Sequence, residues 1–128
     1  MEAPFAGSRF QGLRVLLVED SYLIAQDLER VLTALGCAVV GPAGTVESAC
    51  ALAAGPGVDA GILDINLHGQ SSAPVASLLR KRQKPFFFVT GYGSGAILPD
   101  EFRRYRRLLK PIAPMDLVDA MRREFSRL

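Results

Sequence analysis

Four short apolar runs in this chain each end on a residue that can do chemistry. RVLLVED closes on Glu19 and Asp20, AGILD on Asp64, PFFFVT on Thr90 and RLLK on Lys110. If these runs are neighbouring strands, three carboxylates, a hydroxyl and an ammonium meet at one edge. Two carboxylates about 5 Å apart at an effective dielectric of about 20 repel by roughly 3 kcal/mol. Such a cluster therefore needs cations to stay ionised. Lys110 supplies one, and a hard divalent ion on oxygen ligands, Mg²⁺ or Mn²⁺, would supply more. A carboxylate can attack phosphorus and form an acyl phosphate. Phosphoryl transfer needs little beyond in-line positioning and cations on the phosphoryl oxygens. The Thr90 hydroxyl can donate to one of those oxygens.

The elements that must position these groups read clearly. Arg14–Asp20 is a buried strand, and Ser21 offers an N-cap to a helix with Ile24, Leu28, Val31, Leu32 and Leu35 inward and Gly36 at its stop. Ala38–Gly41 is a second strand closed by Pro42. Thr45 caps a helix carrying Val46, Ala49, Cys50 and Ala53. Ala60–Asp64 is a third strand, and Ser72 and Pro74 open a helix with Val75, Leu78 and Leu79. Pro85–Thr90 is a fourth, aromatic strand. Pro99 interrupts any helix over Ser94–Tyr105, leaving it short or irregular. Arg107–Leu109 is a fifth strand, and Pro114 opens a last helix with Leu117, Val118, Met121 and Phe125 inward. Alternating strands and helices argue for a parallel sheet covered on both faces. In such sheets function gathers at the carboxyl ends of the strands.

Bulk properties narrow the field. The chain has 128 residues, enough for one domain. Residues 1–12, small, polar and dotted with Gly and Pro, read as a flexible lead-in to a domain over 13–128. No run approaches the roughly 20 apolar residues of a membrane helix, and the N-terminus lacks a signal-peptide core. Cys37 and Cys50 form no CxxC pair, and a single His, His68, makes a Cys/His zinc site implausible. A cytoplasmic, reducing setting follows. The net charge of +2 is too mild to argue for nucleic acid. His68 reads as a solvated loop residue. Arg103, Arg104, Arg106 and Arg107 cluster before the fifth strand, either as a solvated connector or as a partner-docking face.

VLLVED, ILDINL, FVTG and LLKP, in that order, resemble the receiver domains of two-component signalling. The likeness covers the chain from Arg14 onward; each motif is weak alone and the ordered set is strong. It implies a flavodoxin/CheY-like (βα)5 doubly wound sheet with strand order 2-1-3-4-5. It implies a phosphoryl group accepted on Asp64 from a histidine kinase or histidine phosphotransferase. It implies Mg²⁺ or Mn²⁺ held by Asp20, Asp64 and the backbone carbonyl of Asn66, with Glu19 helping, and Thr90 and Lys110 as switch residues. A cis Lys110–Pro111 peptide is expected too. The domain would be a switch rather than an enzyme, its chemistry confined to self-catalysed phosphotransfer and autodephosphorylation. Output would pass by protein binding or by phosphotransfer onward. PFFFVTGYG is further similar to the signature of the FATGUY single-domain regulators of alphaproteobacteria, linked to general stress response, with Val89 where Ala is usual.

Departures from the pattern carry information. Receivers usually place an aromatic residue three positions before the lysine, and here Arg107 stands there. Tyr92, two residues after Thr90, could take over part of that role. Positions two after the acceptor and the Thr, Asn66 and Tyr92, tend in receivers to tune phosphate lifetime. Gly91 leaves room for the phosphoryl group. Met1 and the closing helix read as a whole protein rather than a receiver cut from a hybrid histidine kinase, which stays as the alternative. Rival readings are weaker. An aspartyl phosphatase wants an acid at position 66, and a nucleotide or flavin module wants a Gly-rich loop where Glu19-Asp20-Ser21 stands. A phosphorylation-independent scaffold would not need the full acceptor set.

Overall fold

The structure is a computed structural model and describes residues 9–91 and 97–125. A parallel sheet is built from β1 (Arg14–Val18), β2 (Ala38–Ala43), β3 (Ala60–Asp64), β6 (Phe86–Thr90) and β7 (Arg107–Leu109). Between β3 and β6 lie a two-residue-stranded hairpin, β4 (Asn66–Leu67) and β5 (Gln70–Ser71), and helix α3 (Ala73–Lys81). Helices α1 (Tyr22–Ala34), α2 (Val46–Ala53) and α4 (Pro114–Glu124) complete the regular elements. The sheet order is β2-β1-β3-β6-β7, which over its five strands is the expected 2-1-3-4-5. Among the described residues no helix is long and apolar enough to cross a membrane.

Period-two side-chain alternation builds two cores. Val15, Leu17, Ile62, Phe87 and Val89 face α1 and α4. Leu16, Val18, Leu63, Phe86 and Phe88 face α2 and α3. Every residue of β3 and β6 is buried, as central parallel strands require. Ser21 and Thr45 cap α1 and α2 through their side chains as expected. Ser72 precedes α3 without a side-chain cap bond.

Three features bear on the sequence reading, two against it and one with it. First, β2 does not stop at Gly41 but runs on to Ala43 through a cis Gly41–Pro42 bond. Gly41 has φ +100°, and a Cβ there would lie 2.8 Å from the Ala43 nitrogen. β2 is an edge strand, where a missing donor is tolerated. Second, as the Pro99 break implies, residues 97–105 hold no long helix but 3-10 structure, including the turn Asp100–Phe102 after an extended Pro99. Aromatic rings cover the sheet instead. Phe102, fully buried, packs edge-on to Phe86 and Phe88 at 6.2 and 6.0 Å, and Tyr105 stacks on Phe86 at 4.6 Å. Third, Phe10 lies inside the segment read as a lead-in, yet it is 5% exposed and belongs to the core against α1 and α4. The first eight residues lie outside the described residues.

Candidate functional site

Strand register brings the reactive groups level. Asp64 pairs with Val89, and Thr90 pairs with Leu109, so Lys110 follows directly beyond the edge. Glu19 leaves β1, and its backbone N–H donates to the Ala43 carbonyl at 3.0 Å. The Lys110 ammonium donates to Asp64 Oδ2 at 2.9 Å and to Glu19 Oε1 at 3.0 Å. Carboxylate oxygens of Glu19, Asp20 and Asp64 lie within 4.8 Å of one another. Asp64, Asp20, Lys110, Asn66, His68, Gly69 and Gly91 line one open cleft.

Burial decides the electrostatics. Glu19 is 3% exposed. Its carboxyl is pushed up to about 7, first by burial and further by the charge of Asp64, against the opposing hydrogen bond from Lys110. Burial alone would lower Lys110, but its bonds to Glu19 and Asp64 outweigh this and hold the ammonium above its ordinary value. One cation is thus shared between two buried carboxylates. Glu19 Oε2, although 2.9 Å from the ammonium, accepts no hydrogen bond. A buried, unsatisfied carboxylate oxygen beside two more carboxylates is a donor set suited to a hard oxygen-loving dication.

A hairpin missed in the sequence orders this cluster. β4 and β5 close through His68 and Gly69, with φ of 51° and 86°. The signal for it was weak, because only the Gly suits such a turn. The Asn66 backbone N–H donates to Asp64 Oδ1 at 3.3 Å, and the Asn66 side chain accepts from Gly69 N at 2.6 Å. The His68 backbone N–H donates to Asp20 Oδ2 at 2.9 Å. His68 keeps an exposed ring, whose Nδ1 stands 3.5 Å from the same oxygen. One hairpin therefore orients Asp64 at the end of β3 and Asp20 after β1.

The remaining residues fall as follows. Thr90 is 7% exposed and its hydroxyl donates to the Gly91 carbonyl at 3.0 Å. The Lys110–Pro111 peptide is cis. Tyr92 lies outside the described residues. The four arginines split: Arg103 pairs with Asp100 at 2.8 Å, Arg107 donates to the Arg103 carbonyl, and Arg106 pairs with Glu124 at 2.9 Å. Arg104 is exposed, without an ion pair among the described residues.

No family model and no curated protein matches the chain. Solved structures do. SdrG from Sphingomonas melonis Fr1 is 39% identical, over 86% of this chain and 93% of that one, with a TM-score of 0.78. The BeF3-activated conformation of SdrG from Pseudomonas melonis Fr1 is 39% identical, over 84% and 92%, with a TM-score of 0.69. The response regulator PhyR from Brucella abortus is 31% identical over 88% of this chain but 47% of its own, with a TM-score of 0.69.

Proposed function

The chain belongs to the response-regulator receiver domains, and from that premise we propose that it is a single-domain response regulator phosphorylated on Asp64. What carries the reading is one juxtaposition: the Asp64 carboxylate, 2.9 Å from Lys110, in a cleft beside two further acids. The donor is a histidine kinase or histidine phosphotransferase. One Asp64 oxygen bonds to phosphorus as the bond to the donor imidazole breaks, and the imidazole keeps the electron pair. Asp64, held on one oxygen by the Asn66 N–H, presents the other. Lys110 then moves its bond from that oxygen to the phosphoryl group, and the Thr90 hydroxyl turns from the Gly91 carbonyl to a phosphoryl oxygen. Glu19, Asp20, Asp64 and the Asn66 carbonyl would hold Mg²⁺ or Mn²⁺, which neutralises charge on the transferred group. Gly91, without a side chain, leaves the donor room.

Output passes to a downstream protein or by phosphotransfer onward, from a cytoplasmic domain that takes in Phe10 as well as residues 13–128. A role in general stress response is part of this reading, supported by the PFFFVTGYG likeness. Tyr92 takes part of the task that Arg107 cannot perform, since a guanidinium does not bury as an aromatic ring does. The docking face includes the arginines of the 103–107 segment.

The test is intact mass after incubation with acetyl phosphate and Mg²⁺. Wild type should gain one phosphoryl group, and Asp64→Ala or metal-free protein should gain none. An unmodified wild type that also fails to bind beryllofluoride would leave a scaffold.

A further inference from the structure

At the pole of the sheet remote from Asp64, the end of α3, the start of β6, the segment before β7 and the last turn of α4 enclose an open groove. Arg80, Lys84 and Arg123 line one part of it, and Arg104, Arg106 and Arg107 line the other. Both parts share Tyr105 and Glu124, so they adjoin. A rise of about 13 Å along β6 separates Phe86, in its floor, from Thr90. The groove and the acidic cleft therefore lie at opposite ends of the same strands.

We propose that this groove docks an acidic, aromatic-bearing segment of a partner protein, and does so whether or not Asp64 is phosphorylated. The proposal deepens the docking-face reading above and names the partner's chemistry. Six cationic side chains face one lining carboxylate, Glu124, although the whole chain carries only +2. Their ion pairs do not cancel this excess. Arg106–Glu124 at 2.9 Å is part-buried, while Arg80–Glu101 at 3.2 Å and Arg123–Asp119 at 3.1 Å are solvent-facing. Such pairs contribute about 0–1 kcal/mol each and yield readily to a better partner. The platform beneath is aromatic: Tyr105 stacks on Phe86 with ring planes 8° apart, and Arg80 lies over Phe102 at 4.6 Å. A partner aromatic ring can lie against Tyr105 and the guanidinium groups while neighbouring carboxylates take their N–H donors.

A peptide suits the groove better than a nucleic acid. Glu124 lines the groove, and Glu101 and Asp119 pair with its Arg80 and Arg123, so N–H acceptors stand among the cations, and a phosphodiester backbone has no N–H to offer them. The same carboxylates can accept peptide N–H groups. The consequence is a division of labour: one pole tethers the partner, and the other changes with phosphorylation.

The test uses the full ¹⁵N-labelled chain titrated with a synthetic peptide of Glu and Tyr. Amide shifts should concentrate at residues 80–86, 104–107 and 122–124, and binding should weaken with salt. The double reversal Arg104→Glu/Arg123→Glu, at exposed positions, should weaken it about tenfold while the dispersed amide spectrum persists. Asp64→Ala should bind the peptide like wild type. Equal binding by the reversal variant, or shifts gathered instead around Asp20 and Lys110, would overturn the proposal. So would an oligothymidylate that occupies the groove at lower concentration than the peptide. Phosphorylation by acetyl phosphate is scored separately, so failure here leaves the assignment of Asp64 standing.

Discussion

Glu19 is where burial and charge oppose each other most directly. Its carboxyl titrates near 7 in the folded chain, against 4.5 for an ordinary glutamate. The folded state thus holds this proton more tightly than the unfolded state does. Stability from that proton is complete below about 4.5 and is lost as pH rises through about 7. The size is on the order of 3 kcal/mol. Without divalent cations, thermal melts of wild type should fall relative to Glu19→Gln between these limits. Parallel curves for the two proteins would show that Glu19 is ionised throughout. Added Mg²⁺ should restore more stability above pH 7 than below it, because ligand carboxylates bind metal deprotonated. Lys110 has its raised value above neutrality and adds no slope in this window.

Among the elements, the β4–β5 hairpin does the most for the site, since it contacts both Asp64 and Asp20. Its turn depends on Gly69, at φ +86° with open space where a Cβ would stand. Gly69→Ala meets no clash but takes an unfavourable left-handed backbone, at a cost of about 1 kcal/mol. Gly69→Asn should cost less, because Asn tolerates that region. Urea midpoints for the two variants measure the difference, and identical midpoints would argue that the turn relaxes freely. Pro99 shows the opposite case, an element limited by one residue. Its extended backbone precedes the 3-10 turn Asp100–Phe102, and Phe102 and Tyr105 from that segment shield Phe86 and Phe88.

For the molecule as a whole, the sheet's two faces are closed by different means. Helices α1 and α4 with Phe10 cover one face, and α2, α3 and the aromatic cluster cover the other. Phe10 enters from outside the first strand, and the turn after it is tied by the Gly12 N–H bond to the Gly36 carbonyl at 2.8 Å. Phe10→Ala should therefore cost about 3 kcal/mol, as for truncation of other buried rings. Denaturant unfolding would detect it, and a loss below about 0.5 kcal/mol, typical of surface positions, would make residues 9–12 a loose lead-in after all.

The sequence by itself determined the order of the five sheet strands and of the helices between them, and for several of these the residues at their ends. Strands β3 and β7 fall where apolar runs stop at Asp64 and Lys110, and the Ser21 and Thr45 caps start helices where their side chains can accept backbone N–H groups. These features are local: a run of apolar side chains, a hydroxyl before a helix, a proline at its first turn. Only the tertiary structure decided how β2 passes through Gly41–Pro42, that His68 holds Asp20, and that Phe10 joins the core. It also decided that Arg104 and Arg106 line a pocket adjoining, through Tyr105 and Glu124, the one lined by Arg80 and Arg123. Each of these joins residues distant in sequence, or depends on which edge of the sheet a strand occupies, and neither leaves a periodic trace in the chain.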